Sequence, residues 1–331
     1  MNYETLTDNT FRISGVDKSF ANALRRTLIG NIPILVLKPE NCTITVNTTR
    51  FTNEIIKGRL ACIPLHHTSL KDTFTVEVSK KNETTDTLYI TTNDFTVNSK
   101  KSSIFPSYTI LDGVNEYIEF MRLRAGEELV LTCTTSIGTS NESGMYNSVG
   151  TCAYGFTKDT VKSESLFEAS GKERGDWDCL DSKRFIIENS FDFTLQTIGV
   201  YTNTELLKLA TIIIRAQLEK SKLDIEIVPS ITTIEDCFDV TITGSYTLGR
   251  NTYEMQGDYT IGKLLEYQIY TRFQHPITYV AFYKKHPHDK AGILRIAFPG
   301  ATVETIQHVV ETACNECIAE MEHFKTIIET K

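Results

Sequence analysis

Apolar and polar positions follow two periods along this chain, and each switch between them marks an element. Residues 3–14 alternate loosely, as in an opening strand. The stretch Ser19-Phe20-Ala21-Asn22-Ala23-Leu24-Arg25-Arg26-Thr27-Leu28-Ile29-Gly30-Asn31-Ile32-Pro33 changes to a helical period. Phe20, Leu24 and Leu28 fall at i, i+4 and i+8, with Ala21 and Ile29 beside them, so one stripe is apolar. Ser19 suits the N-cap, Gly30 a left-handed residue after the last turn, and Pro33 forbids continuation. Ala21 and Ala23 allow close approach of a partner backbone, while Arg25 and Arg26 point away from the stripe, toward solvent or another protein.

Beyond Pro33, residues 34–37 and 42–46 are β-rich runs separated by a turn-like Lys38-Pro39-Glu40-Asn41. Residues 54–65 read as a short helix running into a Pro-containing strand. From about residue 70 the texture becomes short strands, at 74–78, 87–91, 117–121 and 128–132, between polar loops. Residues 157–183 are polar and Gly-containing and predict an exposed loop. Strand character returns over 185–200, and Asn203 or Thr204 caps a helix to about Lys220 that is apolar nearly all round. Residues 222–236, with Pro229, read as a connector, followed by strands at 238–243 and 250–256.

The opening motif then recurs. Asp17-Lys18-Ser19-Phe20-Ala21-Asn22-Ala23-Leu24 aligns without gaps to Asp258-Tyr259-Thr260-Ile261-Gly262-Lys263-Leu264-Leu265. A capping hydroxyl, an apolar residue after it, a small residue and a second apolar residue match in turn; Ile269 stands for Leu28 and Pro276 for Pro33. Strands at 277–283 and 292–298 lead to a long helix over 302–328 with a heptad-like stripe of Val303, Ile306, Val310, Ala313, Cys317, Met321, Phe324 and Ile328. Both halves thus read helix, strands, helix, but about 30 residues separate the helices in the second half and about 170 in the first. The excess predicts an inserted domain. The expected fold class is α+β: a discontinuous domain of 1–50 plus 181–225, a mostly β insert of 51–180, and a second related domain of 226–331. The helix faces exceed what one sheet can cover, so the two related domains are expected to pair within the chain. Phe20, Leu24, Leu28, Ile213, Ile261, Leu265, Ile306, Val310, Cys317 and Phe324 are the expected interface.

The 331 residues suffice for two or three domains, and 40% hydrophobic with 23% charged residues indicates a globular chain. A net charge of −8 argues against a phosphate backbone as the main partner. No run approaches a membrane span and the N-terminus lacks signal-peptide regions, so the chain is expected inside the cell, away from membranes. The eight cysteines then read as reduced thiols.

Catalytic candidates are few. Cys314-x-x-Cys317 could be half a metal site or a redox pair, but it lies in mid-helix without a second pair, so core thiols are favoured. His66-His67 and His286-Pro287-His288-Asp289 lack further ligands at metal spacing, and solvated loops are favoured. Asp176-Trp177-Asp178 imitates a catalytic pair but falls in the polar stretch. No Gly-rich phosphate loop, nucleophile elbow or His-Glu-x-x-His occurs. No catalytic residue, metal ligand or cofactor is therefore assigned.

The order of the motifs resembles the assembly subunits of cellular RNA polymerase, namely the bacterial alpha N-terminal domain and the paired D and L subunits of archaea with their eukaryotic equivalents. Phe20-Ala21-Asn22-Ala23-Leu24-Arg25-Arg26 looks like the signature of the larger partner. Residues 54–65, ending Ile63-Pro64-Leu65, and Arg122-Leu123-Arg124-Ala125-Gly126-Glu127-Glu128-Leu129 are similar to its following segments. Asp258 to Leu265, Val280-Ala281-Phe282-Tyr283-Lys284, His286-Pro287 and the closing helix resemble the smaller partner.

The resemblance implies a non-catalytic platform for DNA-directed RNA polymerase, docking the two large catalytic subunits and further small ones. Asn22, Arg25, Arg26, Glu54 and Arg59 are the expected docking residues, with DNA and RNA contacted only through the complex. Two normally separate subunits joined in one chain resemble a fusion found in polymerases of large DNA viruses of eukaryotes, which implies host cytoplasm or nucleus and packaging in the virion as settings. The resemblance departs at the family's Cys-rich metal loop, since Cys133, Cys152 and Cys179 stand alone, and at residues 138–150, in place of a His-Ala-Lys-Trp loop. No bacterial-type DNA-binding appendage is expected after residue 331. The alternatives are a pseudo-dimeric interaction protein of another complex, or a small-molecule enzyme using the Asp176/Asp178 or His286/His288 region.

Overall fold

The computed structural model of the chain describes residues 1–98, 104–109, 113–248, 251–253, 259–289 and 291–330. It divides into a first unit of Met1–Leu28, Thr151–Leu195 and Thr204–Lys331 and a second of Ile29–Gly150 and Gln196–Asn203. Along the chain lie β1 (Asn2–Thr7), β2 (Thr10–Ser14), α1 (Lys18–Gly30), β3 (Ile34–Val36), β4 (Cys42–Asn47), α2 (Asn53–Ala61), β5 (Thr75–Lys81), β6 (Leu88–Thr91) and β7 (Thr96–Val97). Next come β8 (Ser107–Thr109), β9 (Asn115–Tyr117), β10 (Glu119–Leu123), β11 (Glu128–Thr134), β12 (Ser136–Gly138), β13 (Val149–Lys158), α3 (Thr160–Ser170), α4 (Arg174–Cys179), β14 (Ile186–Thr197) and α5 (Asn203–Leu223). The chain ends with β15 (Glu226–Pro229), β16 (Cys237–Ile242), β17 (Tyr246–Leu248), β18 (Asn251–Tyr253), α6 (Tyr259–Arg272), β19 (Tyr279–Tyr283), β20 (Gly292–Ala297) and α7 (Val303–Glu329). The mixture of helices with largely antiparallel strands makes the fold α+β.

Within the first unit, two sheets repeat one plan: β1-β2-β14-β13 and β15-β16-β20-β19. Each consists of a hairpin, then a helix (α1 or α6), then a second hairpin and a closing helix (α5 or α7). A charge pair joins the two central strands of each sheet. Arg12 and Asp192 are cross-strand partners with Nε to Oδ1 at 2.6 Å, and Arg295 and Asp239 are cross-strand partners at 2.7 Å. The signs are exchanged between the sheets, arginine on the first central strand in one and on the second in the other. A one-residue slip would turn these groups to the opposite face, so each pair holds its register.

Aromatic packing holds the unit's interior. Phe11 stacks on Phe193 at 5.0 Å, and Phe324 of α7 meets Phe20 of α1 edge-on at 5.5 Å and Tyr3 of β1 at 6.2 Å. The heptad-like stripe of α7 is buried from Ile306 to Ile328, and Thr302 caps its start by accepting from the Thr305 amide. Glycine at 262 and 292 is dictated by the Phe282 ring, which a Cβ would meet at 2.2 and 2.1 Å respectively.

The second unit is built on β4-β11-β5-β7, with the smaller pairings β10-β6, β12-β3 and β8-β9. Val76, Val78, Leu129 and Leu131 share one core with Ile56 and Leu60 of α2, giving the mostly β texture an apolar centre. These units follow different lines from the expected domains, for a pairing reason. Strands β3 and β4 pair with β12 and β11, which draws residues 29–50 into the second unit, while β13 joins β14 and draws 151–158 into the first.

Several local expectations are corrected. Residues 3–14 form a hairpin rather than one strand. Asp17, not Ser19, starts α1: its Oδ2 accepts from the Ser19 amide at 2.7 Å. Gly30 is a helical residue of α1 and not left-handed; its lack of a Cβ admits Asn141, whose Oδ1 would otherwise lie 2.7 Å from it. No strand follows α2 at Ile63-Pro64-Leu65. Residues 157–183 are not a loop but the end of β13 and helices α3 and α4. Buried Trp177 is the reason: it stacks with Phe185 at 5.8 Å, packs on Phe167 and donates from Nε1 to Ser163 Oγ, while Arg174 ties Glu164 to Asp178. Within 222–236, α5 runs on to Leu223 and β15 forms. Asp258 and the end of the 250–256 strand lie outside the described residues.

Two outcomes follow for stability. Gly262→Ala forces a Cβ into the Phe282 ring, so thermal denaturation should show a loss of about 1–3 kcal/mol, despite alanine's better helix propensity. Hydrogen bonding from Arg12 and Arg295 holds the Asp192 and Asp239 carboxyls below the usual aspartate range. Because their folded values are depressed, this contribution is complete above pH about 4 and is lost as pH falls through the depressed values. Melting temperature measured down the acid limb should therefore drop less steeply in Asp239→Asn than in the parent chain.

Candidate functional site

Helix α1 brings three of the expected docking residues onto one short surface. Its buried stripe of Phe20, Leu24 and Leu28, with Ala21 and Ala23, faces the interior, which leaves Asn22, Arg25 and Arg26 on the outer side. Arg25 is half-buried, and its Nε and Nη2 both donate to Asn22 Oδ1, at 3.2 and 3.0 Å. One turn of helix thus presents a guanidinium that its neighbour has already oriented. That positive charge also reaches into the sheet, opposing the rise that burial causes in the Cys152 thiol, which is pushed up to about 12.

Arg26 behaves differently from expectation. It is exposed as a residue, yet its Nε donates to Thr260 Oγ1 at 2.9 Å, across 234 positions of sequence. Thr260 lies inside α6, where it receives Arg26 rather than serving as the expected cap. Arg26 therefore links the two related helices.

The remaining expected docking residues, Glu54 and Arg59, lie on α2 in the second unit. Arg59 donates from Nε to Phe120 O at 2.8 Å, which pins α2 to β10. Glu54 is exposed in the first turn, and its carboxyl is held below the usual range by its own amide and then by the Thr52 hydroxyl. Ile55 is 48% exposed beside it, and a Cβ on Gly58 would touch nothing. The outward side of α2 is thus partly apolar and narrow.

The expected interface residues Phe20, Leu24, Leu28, Ile213, Ile261, Leu265, Ile306, Val310, Cys317 and Phe324 are all buried. Between α5 and α7, Arg215 reaches Glu322 at 3.0 Å and Lys222 reaches Asn315 at 2.7 Å. Gln217 of α5 donates to Gly244 O at 2.9 Å, joining α5 to the loop after β16.

The other chemical candidates of the sequence have the following partners. Asp178 is ion-paired to Arg174 on α4, and Cys314 and Cys317 are buried in α7 with thiols pushed up by burial, Cys314 to about 12. His67 pairs with Asp72 at 2.7 Å, His66 Nε2 lies 3.3 Å from Ile198 O, and His286 and Asp289 close a turn through the His286 amide. Among the described residues no group of three or more His, Cys, Asp and Glu side chains could hold a metal ion. No helix among them is long and apolar enough to cross a membrane. Cys133 does not stand alone, however: it faces Cys42 across β11 and β4.

Sequence reasoning missed the ion pairs Arg12–Asp192 and Arg295–Asp239, the Arg26–Thr260 link and the Trp177 core. The charge pairs left a faint signal, a charged residue flanked by apolar neighbours within each of the four strands. The others join residues with no common period.

The order hairpin, helix, strand pair, helix thus occurs twice within the first unit. The profile of the RNA polymerase Rpb3/Rpb11 dimerisation domain matches residues 10–218, and the chain belongs to that family. Among similar proteins, DNA-directed RNA polymerase subunit Rpo3 of Thermoplasma volcanium is 30% identical over 203 residues, covering 56% of this chain and 72% of that subunit. Rpo3 of Pyrococcus furiosus is 30% identical over 134 residues, 40% of this chain and 49% of that subunit, and Rpo3 of Picrophilus torridus is 25% identical over 166 residues, 45% and 60%. The chain thus spans about half the length of the Pyrococcus furiosus relative.

The Arg26–Thr260 contact is measurable on its own. In a double-mutant cycle of Arg26→Ala and Thr260→Val, the coupling energy from chemical denaturation should be about 0.5–1.5 kcal/mol. Strict additivity would mean that the two helices are not linked through these groups.

Proposed function

We propose that this protein is a non-catalytic assembly platform of a multisubunit DNA-directed RNA polymerase, in which a D-like and an L-like partner are fused and paired within one chain. The observation that carries this reading is the repeated sheet, β1-β2-β14-β13 and β15-β16-β20-β19, with corresponding helices in contact. α1 meets α6 through Arg26 and Thr260, and α5 meets α7 through Arg215 and Glu322. Corresponding elements meeting in pairs is what a pseudo-twofold arrangement of two related domains requires. The family match over 10–218 supports the D-like assignment of the first copy, and the L-like assignment of 226–331 rests on the repeated topology.

In this reading the tether keeps the halves at an effective concentration of about millimolar, so their pairing is independent of supply. The large catalytic subunits dock on the outer side of α1 through Asn22 and Arg25, and on α2 through Glu54, Ile55 and Arg59. Arg26 divides its role, since one of its donors is committed to Thr260. The nucleotidyl transfer chemistry and the contacts to DNA and RNA belong to the partners, which suits a chain of net charge −8.

Co-expression of the tagged chain with the large subunits of its polymerase, followed by affinity capture and mass spectrometry, tests the proposal. The intact chain should retain both large subunits. Arg25→Glu should reduce that recovery at least tenfold while thermal denaturation of the free chain changes little, because among the described residues the side-chain hydrogen bonds of Arg25 go to Asn22 of its own helix. Retention of the large subunits by Arg25→Glu would remove α1 from the docking surface, and failure of the parent chain to retain them would remove the polymerase assignment.

A further inference from the structure

The second unit contains a pair of cysteines that the proposed scaffold role does not use. Cys42 opens β4 and Cys133 lies near the end of β11, and the two are direct partners in the antiparallel ladder. Direct cross-strand partners project to the same face, here the core that holds Val76, Val78 and Leu131. Both side chains are buried, at 3% and 1% exposure, and both thiols are free.

The type of pairing sets how close the sulfurs come. The Cys42 amide donates to Pro39 O, so the two cysteines do not exchange both bonds of a hydrogen-bonded pair. Non-hydrogen-bonded partners have Cα atoms about 4.5 Å apart and their side chains closer together. A disulfide needs Cα atoms roughly 4.4–6.8 Å apart, so this ladder position needs no backbone movement to accept one. We propose that Cys42 and Cys133 are a dithiol site for reversible disulfide formation by hydrogen peroxide.

The surroundings divide the labour between the two sulfurs. The hydrogen bond from Cys133 and the nearby Lys57 ammonium lower the Cys42 thiol below its ordinary range, whereas the hydrogen bond and burial raise Cys133. The Cys133 proton also has the Lys38 carbonyl within reach, at 3.7 Å from Sγ. That contact to the Lys38 carbonyl holds the proton on Cys133, which leaves Cys42 as the attacking sulfur and Cys133 as the resolving thiol. In the first step the Cys42 sulfur attacks one peroxide oxygen, the O–O bond breaks, and a sulfenic acid forms with release of hydroxide, which is protonated to water. In the second, the Cys133 sulfur attacks the sulfenic sulfur, the S–S bond forms, the S–O bond breaks, and the oxygen leaves as a second water. Two thiols have lost two electrons and peroxide has gained them. Burial restricts the reaction to an oxidant small enough to enter through local opening of the sheet edge.

The purified, reduced full-length chain, treated with hydrogen peroxide, alkylated with N-ethylmaleimide under denaturing conditions and digested without reductant, gives the test by mass spectrometry. The expected product is a peptide pair joined through Cys42 and Cys133 that dithiothreitol returns to two thiols. The same cross-link should persist in a Cys62→Ser/Cys179→Ser variant, which removes the two exposed cysteines and leaves the core intact. In Cys133→Ser, Cys42 should stop at the sulfenic acid and be trapped by dimedone. Recovery of Cys42 and Cys133 as alkylated thiols at a peroxide dose that oxidises Cys62 and Cys179 would overturn the proposal, as would a cross-link from Cys42 to Cys62. The Cys62→Ser/Cys179→Ser result decides the matter even if Cys133→Ser fails to fold.

Discussion

Phe324 packs edge-on against Phe20 and lies beside Tyr3, and the organisation of the first unit depends on this apolar contact. A four-stranded sheet carrying two helices can cover only one side of each helix, so a sheet of this size leaves apolar helix surface in water. Bringing the closing helix α7 against α1 and β1 removes that surface. Complete burial of one such side chain contributes about 1.5–3 kcal/mol. The α7 stripe repeats the contribution turn after turn, from Ile306 to Ile328.

Polar groups then select one arrangement from those that apolar burial would permit. Arg12 with Asp192 and Arg295 with Asp239 hold the register of the two central strand pairs, and Arg26 with Thr260 joins α1 to α6. Each requires a particular partner at hydrogen-bond distance, whereas an apolar face accepts any apolar neighbour of suitable shape. A scaffold profits from that division. Burial supplies the stability, the polar pairs supply the geometry, and Asn22 with Arg25 remains on the outer side of α1.

Much of this was legible in the residues. The helix at Phe20 to Leu28, its recurrence at Ile261 to Ile269 and the closing helix with its stripe all follow from the 3.6-residue period. The polar stretch around Trp177 was misread because its two short helices are held by one buried indole and by Arg174 pairing with Glu164 and Asp178, not by an apolar face of their own. Ser19 was misplaced as the cap of α1 because Asp17, two residues earlier, carries the carboxylate that accepts from the Ser19 amide. Of the expected docking residues, Asn22 and Arg25 could be placed together from helical spacing, but the bond from Arg59 to the Phe120 carbonyl could not.

By itself the sequence determined what repeats locally: the apolar stripes of α1, α6 and α7 and the alternation of the strands. These depend on neighbours within a few positions, so their spacing records them. Tertiary structure alone decided which hydroxyl receives Arg26, why Gly262 and Gly292 must make room for Phe282, and that Cys42 faces Cys133. Those facts depend on residues brought together from distant parts of the chain, where a strand's register or a helix's rotation selects the neighbour and no period along the sequence records the choice.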